Sequence, residues 1–352
     1  MTQGLQYKIE SIINRNQQAD DKDIVLQLKQ LLHETDLHYT AGKVAQNIAG
    51  LVAENIRKIK EGTYPDDMIK SGFDDFDRQF GGFRLGEFIV VGGRPAMGKT
   101  QLLINLSLNI STTRPLLYIT LDLSDFLLTS RFMASVSKIP VDRILQNNLN
   151  EEQKIILSSA GDEFTKRQLF IHDSSRTVDE ITALCKKQIQ ENKIQVIVVD
   201  YLQLINSYKH RNREQEVSCI SRELKNLAKE FSVCVIASSQ VNRSVEYRTG
   251  TDGKRPQLSD LRESGAIEQD ADKVIFIHRP EYYQIFENDK GFSMINLAEI
   301  IVSKNRNGCL GDFYLSRDTN FTNFRNCTYY NNEFTFSANR LLELEDREEM
   351  PF

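Results

Sequence analysis

The sequence predicts an α/β protein with a mainly parallel central sheet, preceded by a short helical N-terminal segment. Three observations predict it. Short β-branched runs, suited to burial on both faces, recur from residue 87 onward, with amphipathic helical stretches between the earlier ones. The stretch "VVGGRPAMGKTQLL" (90–103) joins one such run to an apolar helix through a glycine-containing turn. Before residue 63 the texture is different, with apolar residues at helical spacing.

Taken in order, residues 1–40 hold two short amphipathic stretches, one marked by Leu5, Ile9, Ile12 and Ile13, the other by Ile24, Val25, Leu28, Leu31 and Leu32. From Ala41 the residues Val44, Ile48, Leu51, Val52, Ile56 and Ile59 form one apolar stripe at helical spacing. Arg57, Lys58 and Lys60 gather where the helix dipole is negative, and Gly62 is a stop signal. Periodicity leaves two readings of this helix open: it lies on its own core, or it is exported to a neighbouring subunit.

The predicted strands are 87–93, 115–122, 168–173, 195–201, 232–239, 273–278 and 298–304. Two loops stand out, "SYKHRNREQE" (207–216) and "NRSVEYRTGTDGKRP" (242–256), and the tail 336–352 is acidic.

Bulk numbers narrow the class. An apolar content of 40% suffices for a core, and a net charge of −5 argues against a uniformly basic surface while leaving room for a local basic stripe. No apolar run approaches the roughly 18 residues that span a bilayer, and the polar start MTQGLQYKIE lacks a signal-peptide pattern. Five dispersed cysteines (Cys185, Cys219, Cys234, Cys309, Cys327) without a CxxC pair read as reduced thiols in a cytoplasmic protein. None of the histidines (His33, His38, His172, His210, His278) shows a pairing that suggests catalysis.

The chemistry is concentrated around 93–100. Gly93, Gly98, Lys99 and Thr100 fill the pattern GxxxxGK[ST], with Arg94, Pro95, Ala96 and Met97 between them. Glycines let backbone N–H groups turn inward around phosphate oxygens, the lysine reaches the terminal phosphates, and the threonine hydroxyl ligates Mg²⁺. Such a loop needs a carboxylate at the end of a second buried strand to hold the metal, and "VIVVDYLQLI" supplies Asp200. A base to activate water is expected at the end of the strand beside the phosphate-loop strand, identified as "LYITLDLSD", with Asp122 the best placed and Asp125 a looser candidate.

With these residues in place, the chain resembles the ATPase domain of DnaB-type replicative helicases, within the RecA-like superfamily, from about Thr63 to Asn326. "GRPAMGKT" and "VVDYLQLI" are close to the family's phosphate loop and metal-binding strand, and "KRPQLSDLRESGAIEQDADKVIFIHRPEYY" (254–283) is nearly a family signature. The resemblance implies a RecA-like P-loop ATPase core using ATP and Mg²⁺. It also implies a ring, a hexamer in the family, that translocates 5′ to 3′ on single-stranded DNA and unwinds duplex. It puts the γ-phosphate sensor at Gln240, within "ASSQVNRSVE", and makes Lys304 and Arg306 of "SKNRNG" fingers inserted into the neighbouring subunit's site, a role the residues alone do not show. It assigns Arg262, Glu263 and Gly265 of "LRESG" to a loop that tracks the strand's backbone. Arg243, Arg248, Lys254 and Arg255 form either a basic rim beside it or a solvated loop, and "KHRNREQE" is a weaker channel candidate. The implied division is a helical segment (1–40), a linker helix packing on the next subunit (41–62), the ATPase domain (63–335) and the acidic tail (336–352).

Two departures qualify the resemblance. The family places glutamate where this chain has Asp122, one methylene shorter, which implies slow hydrolysis. The family's N-terminal collar, which docks primase, is absent or reduced, which implies an accessory, phage or mobile-element helicase whose loader the sequence does not name. The alternative is a DNA- or partner-binding assembly module that uses ATP as a clamp, favoured by Asp122 but opposed by Lys304, Arg306 and Gln240. A RecA-like strand-exchange protein fits poorly, because the 254–283 signature belongs to the helicase branch.

Overall fold

All seven predicted strand runs form strands in the computed structural model, which describes residues 47–63, 67–207, 212–250, 252–261, 265–288, 291–320 and 322–327. In chain order the strands are β1 (Met68–Ile69), β2 (Phe83–Arg84), β3 (Phe88–Gly93), β4 (Leu116–Thr120), β5 (Leu169–His172), β6 (Val196–Asp200) and β7 (Cys234–Gln240). They continue with β8 (Lys273–His278), β9 (Leu297–Asn305), β10 (Gly311–Arg317) and β11 (Phe324–Asn326). The first two pair as a small antiparallel ribbon; the rest form a nine-stranded sheet in the order β11-β10-β9-β8-β3-β7-β6-β4-β5.

From β8 to β5 every pairing is parallel, and the three pairings from β8 outward through β9 and β10 to β11 are antiparallel. The parallel strands are buried on both faces because successive side chains alternate between two cores. Ile89, Val91, Tyr118, Val198 and Ile236 join one core with the helix Lys99–Ile110 and the phenylalanines Phe73, Phe76, Phe80 and Phe83. Phe88, Val90, Ile119, Val199 and Val235 join the other with the helices Val178–Asn192 and Arg213–Phe231. The helix Lys99–Ile110 is buried almost all round, its polar residues Gln101, Asn105 and Ser107 included, and packs in the same core as those phenylalanines.

One sequence expectation is overturned here. The strand that leads to Asp122, β4, is not beside the phosphate-loop strand: β3 has β7 and β8 as its neighbours, and β7 and β6 fill the space between β3 and β4. The chain leaves β3 through Lys99–Ile110 and crosses past two positions that β6 and β7 later occupy. Four strands were not expected: the two-residue β1 and β2, and β10 and β11, whose polar residues Asp312, Ser316 and Arg325 interrupt the inward set Phe313, Leu315 and Phe324.

Two of the predicted loops are partly helical. The helix Arg213–Phe231 takes over the last residues of 207–216, and 242–256 contains the short helix Ser244–Tyr247 and the turn Asp252–Lys254. The predicted helical segment 1–40, the tail 336–352 and the first three residues of "KHRNREQE" (209–211) lie outside the described residues.

The chain divides into two compact units, the first ending at Asp66. In the first, the helix Ile48–Lys60 is capped by the Asn47 side chain, which accepts from Ala49 N–H at 2.8 Å. Arg57 bridges Glu54 and Glu61 along its last turns. Its apolar stripe is solvent-facing: Leu51, Val52, Ile56 and Ile59 are all exposed.

Candidate active site

The phosphate loop forms where β3 ends and Lys99–Ile110 begins. Gly98 sits there at φ 99°, and a Cβ on it would come within 2.9 Å of the Phe324 ring, so both backbone and space demand glycine. Gly93 is under a similar constraint from Ile277 at 2.9 Å. The loop is held from outside. Arg94 turns its buried guanidinium away from the loop's interior, to Glu246 at 2.7 Å and to the Val241 carbonyl at 2.8 Å. Arg279 donates to the Ala96 carbonyl at 3.0 Å. Lys99 folds back and donates to the carbonyls of Gly93 (2.8 Å) and Arg94 (3.0 Å). Burial pushes its ammonium down to about 8, partly countered by the charge of Asp200.

A pocket of about 460 Å³ opens over this loop. Its walls are Pro95 to Gln101, together with Asp122, Arg131, Asp200, Tyr201, Gln240, Arg279, Arg317 and Phe324. Four cationic side chains around one cavity suit a polyanionic ligand. The strand order explains the convergence. Gly93, Gln240, Asp200 and Thr120 end four adjacent parallel strands (β3, β7, β6, β4), a row about 14 Å across at the usual strand spacing. Ligand sites of open α/β sheets lie at such carboxyl ends.

Asp200 is the hub of the row. Its Oδ2 accepts from Thr100 Oγ1 at 2.7 Å and from the Tyr118 hydroxyl at 3.2 Å, while Oδ1 accepts from Ser238 Oγ. A carboxylate and a hydroxyl side by side, both at a pocket wall, are hard oxygen donors of the type that Mg²⁺ takes, so the residues present fit that ion. Asp122 is exposed at the same wall, on a turn fixed by Leu121 N–H to the Asp200 carbonyl (2.9 Å) and by Leu123 N–H to Thr120 Oγ1 (3.1 Å). Asp125 is not in the wall; its carboxylate accepts from the Phe126 N–H at the start of the helix Asp125–Ser137. Gln240 is held through its backbone: its N–H donates to Gln203 Oε1 at 3.1 Å, and Gln203 Nε2 donates to Ser239 Oγ at 2.9 Å.

Lys304 and Arg306 point the same way, but not towards this pocket. Lys304 donates to the carbonyls of Glu268 and Gln269, and Arg306 donates to Gln269 and lies 3.6 Å from Asp272. Register places them beyond reach of their own phosphate loop. Lys304 pairs with Val274 and Asn305 with Lys273, which is level with Ile89; Gly93 lies four residues further along β3, about 13 Å.

The expected DNA-facing residues are divided. Arg262 and Glu263 lie outside the described residues, and Gly265 is the first residue of the helix Gly265–Asp270. Arg243 is exposed. Lys254 donates to the Glu246 carbonyl and lies over the Tyr283 ring at 5.8 Å. Arg248 is paired with Asp260, and Arg255 with Glu299 and Asp312. Arg248 and Arg255 are thus committed to ion pairs in their own chain, which neither a basic rim nor a free solvated loop describes.

Several residues of the site were missed from sequence: Arg131, Arg279, Arg317 and Phe324 at the pocket wall, and Tyr118 and Ser238, which hold Asp200 from the core side. Arg131, on the helix that starts at Asp125, reads in sequence as one helical arginine among others. Tyr118 and Ser238 sit inside strand runs, where they read as core.

The fold and the pocket define a P-loop nucleotide-binding domain. Comparison with known proteins narrows this. The model of the DnaB-like helicase C-terminal domain family matches residues 68–326. The replicative DNA helicase DnaC of Bacillus subtilis is 38% identical over 263 residues, 73% of this chain and 56% of that protein. The replicative DNA helicase DnaB of Geobacillus stearothermophilus is 36% identical over 294 residues, 82% of this chain and 63% of that protein. Among solved structures, a DnaB-like replicative helicase described with its primase interactions superposes at TM-score 0.74 with 28% identity, covering 92% of this chain and 76% of the other. A second solved structure, described as an ATPase domain, superposes at TM-score 0.70 with 31% identity, covering 80% of this chain and 99% of the other. The chain belongs to the DnaB-like helicase C-terminal domain family, and it spans little more than half the length of the relatives it matches.

Proposed function

We propose that this chain is the motor domain of an ATP-dependent DNA helicase that assembles as a ring, a hexamer by family resemblance, and moves 5′ to 3′ on single-stranded DNA. The observation that carries the reading is the row of strand ends that brings Lys99, Thr100, Asp200, Asp122 and Gln240 to one pocket, inside a match to the family that covers residues 68–326.

The roles follow from position. The phosphate loop's inward N–H groups and Lys99 bind the phosphates of ATP, and phosphate charge favours the ammonium form that burial disfavours. Thr100 and Asp200 hold Mg²⁺, whose contribution when bound is to offset charge on the terminal phosphates. Asp122, unobstructed at the wall, orients the attacking water and accepts its proton. Gln240 lies between the phosphate loop and Asp200, and the chain leaving it runs straight to the helix Ser244–Tyr247, where Glu246 grips Arg94. Loss of phosphate at Gln240 thus has a short covalent route to 242–265, the segment assigned to DNA contact.

Lys304 and Arg306 support assembly. Held towards the amino ends of the parallel strands, about 13 Å along them from the phosphate loop, they cannot serve their own pocket, whereas fingers supplied in trans are worth on the order of 10³–10⁵ in rate. The exposed stripe of Ile48–Lys60 suits a helix that packs on a neighbouring subunit.

Strand displacement tests the reading. A forked duplex with a free 5′ single-stranded arm, incubated with ATP and Mg²⁺, is expected to be unwound, and a duplex with only a 3′ tail is not. DNA that is bound but never separated, with ATP held and not turned over, favours the clamp instead.

A further inference from the structure

Asp200 is surrounded by more hydroxyl donors than a bare metal ligand needs. Thr100, Tyr118 and Ser238 all donate to it. A carboxylate offers about four acceptor positions, so three donors leave room for little more than one further contact. Thr100 is the donor on the pocket side. Tyr118 and Ser238 are not in the pocket wall; both are buried, at 0% exposure.

Tyr118 reaches Asp200 because of strand register. Thr120 pairs with Asp200, and Tyr118 pairs with Val198 two residues below, on the same face of the sheet. A phenol is long enough to climb past that pair and deliver its hydroxyl to Oδ2 from beneath. The ring is held edge-on against Phe132 at 5.8 Å, so its direction is fixed by packing. An aliphatic residue there would fill the core equally well but leave Oδ2 with Thr100 as its only donor among those described.

We propose that Tyr118 is a positioning residue for the metal-holding carboxylate: with Ser238 it locks Asp200 from the core side, so that the carboxylate faces Thr100 before nucleotide and metal arrive. The proposal rests on the reading of the pocket as an ATP·Mg²⁺ site. Groups that orient a ligating carboxylate typically govern 10–100-fold in metal affinity. Because this bond is long, at 3.2 Å, the effect belongs at the lower end, about tenfold.

The test is Tyr118→Phe, which keeps the ring against Phe132 and removes only the hydroxyl. Mn²⁺ binding to the full chain in the presence of ATP is followed by electron paramagnetic resonance, beside Asp200→Asn and the unsubstituted chain. The expected result is Mn²⁺ affinity about tenfold weaker in Tyr118→Phe, with an unchanged melting temperature. Hydrolysis should be restored to within about twofold by saturating Mg²⁺, because the catalytic groups are untouched. Equal Mn²⁺ affinity in Tyr118→Phe and the unsubstituted chain overturns the proposal, as does an affinity loss that melting shows to be partial unfolding. If the unsubstituted chain itself binds no ATP-dependent Mn²⁺, or Asp200→Asn binds it as well, the site reading fails rather than the role of Tyr118.

Discussion

Replacing Asp122 by glutamate should make this protein faster. The carboxylate at 122 is one methylene short of the residue that the resemblance leads one to expect, about 1.5 Å of reach. Its turn has little freedom to advance. Leu121 N–H is tied to the Asp200 carbonyl at 2.9 Å, and Thr120 Oγ1 both accepts from Leu123 N–H at 3.1 Å and donates to the Leu123 carbonyl at 3.0 Å. Backbone movement therefore does not recover the lost length. A misplacement of about 1 Å costs on the order of 10² in rate, or about 2.7 kcal/mol of barrier. Asp122 is exposed at the pocket wall, so the extra methylene meets no packed core. The assay is single-turnover ATP hydrolysis, with nucleotide affinity measured separately. Asp122→Glu is expected to raise the rate roughly 10- to 100-fold at nearly unchanged affinity, and Asp122→Asn to abolish it. A glutamate variant no faster than the aspartate refutes the reasoning and means that the site is shaped for the shorter side chain.

Three further outcomes are expected. Lys99→Ala should lose ATP hydrolysis, measured at saturating ATP; retained turnover would sink the phosphate-loop reading. Arg306→Ala should also be inactive alone yet bind nucleotide normally, and mixing it with Lys99→Ala should restore activity, up to about a quarter of the sites by random assembly. A mixture as dead as its components means that Arg306 does not act across subunits. His278 is buried against Tyr283, and burial, aided by Arg255, pushes its imidazole down to about 4. Its folded pKa is below the ordinary 6.5, so the penalty is absent above pH 6.5 and grows as pH falls towards 4, reaching about 3 kcal/mol at 1.36 kcal/mol per pH unit. About 2 kcal/mol of that is present by pH 5. Urea unfolding at pH 7.5 and pH 5 should show His278→Phe losing this part of the acid sensitivity; equal sensitivity in both proteins contradicts the assignment.

Strand positions were legible because each run contains a short block of aliphatic or aromatic residues, and the phosphate loop because its glycines stand at fixed spacing. Strand order was not. Nothing local in Leu116–Thr120 says that two later strands will separate it from Phe88–Gly93, since that depends on where the crossover helix packs. Charge partners were equally hidden. Arg248 and Arg255 look free in a loop rich in arginine, yet Asp260 and Asp312, 12 and 57 residues away, take them up. The strands Gly311–Arg317 and Phe324–Asn326 escaped because outward polar residues interrupt their apolar pattern. Tyr118 escaped for the opposite reason: it completes the pattern of a buried strand so well that its hydroxyl goes unnoticed.

The central claim is that the pocket at the strand ends drives movement on DNA. Steady-state ATP hydrolysis at low salt, with and without single-stranded DNA, tests it most directly. Turnover that rises several-fold with DNA and disappears in Lys99→Ala is the predicted result. ATP bound tightly but hydrolysed at the same negligible rate with and without DNA would contradict it, and would leave a clamp in place of a motor.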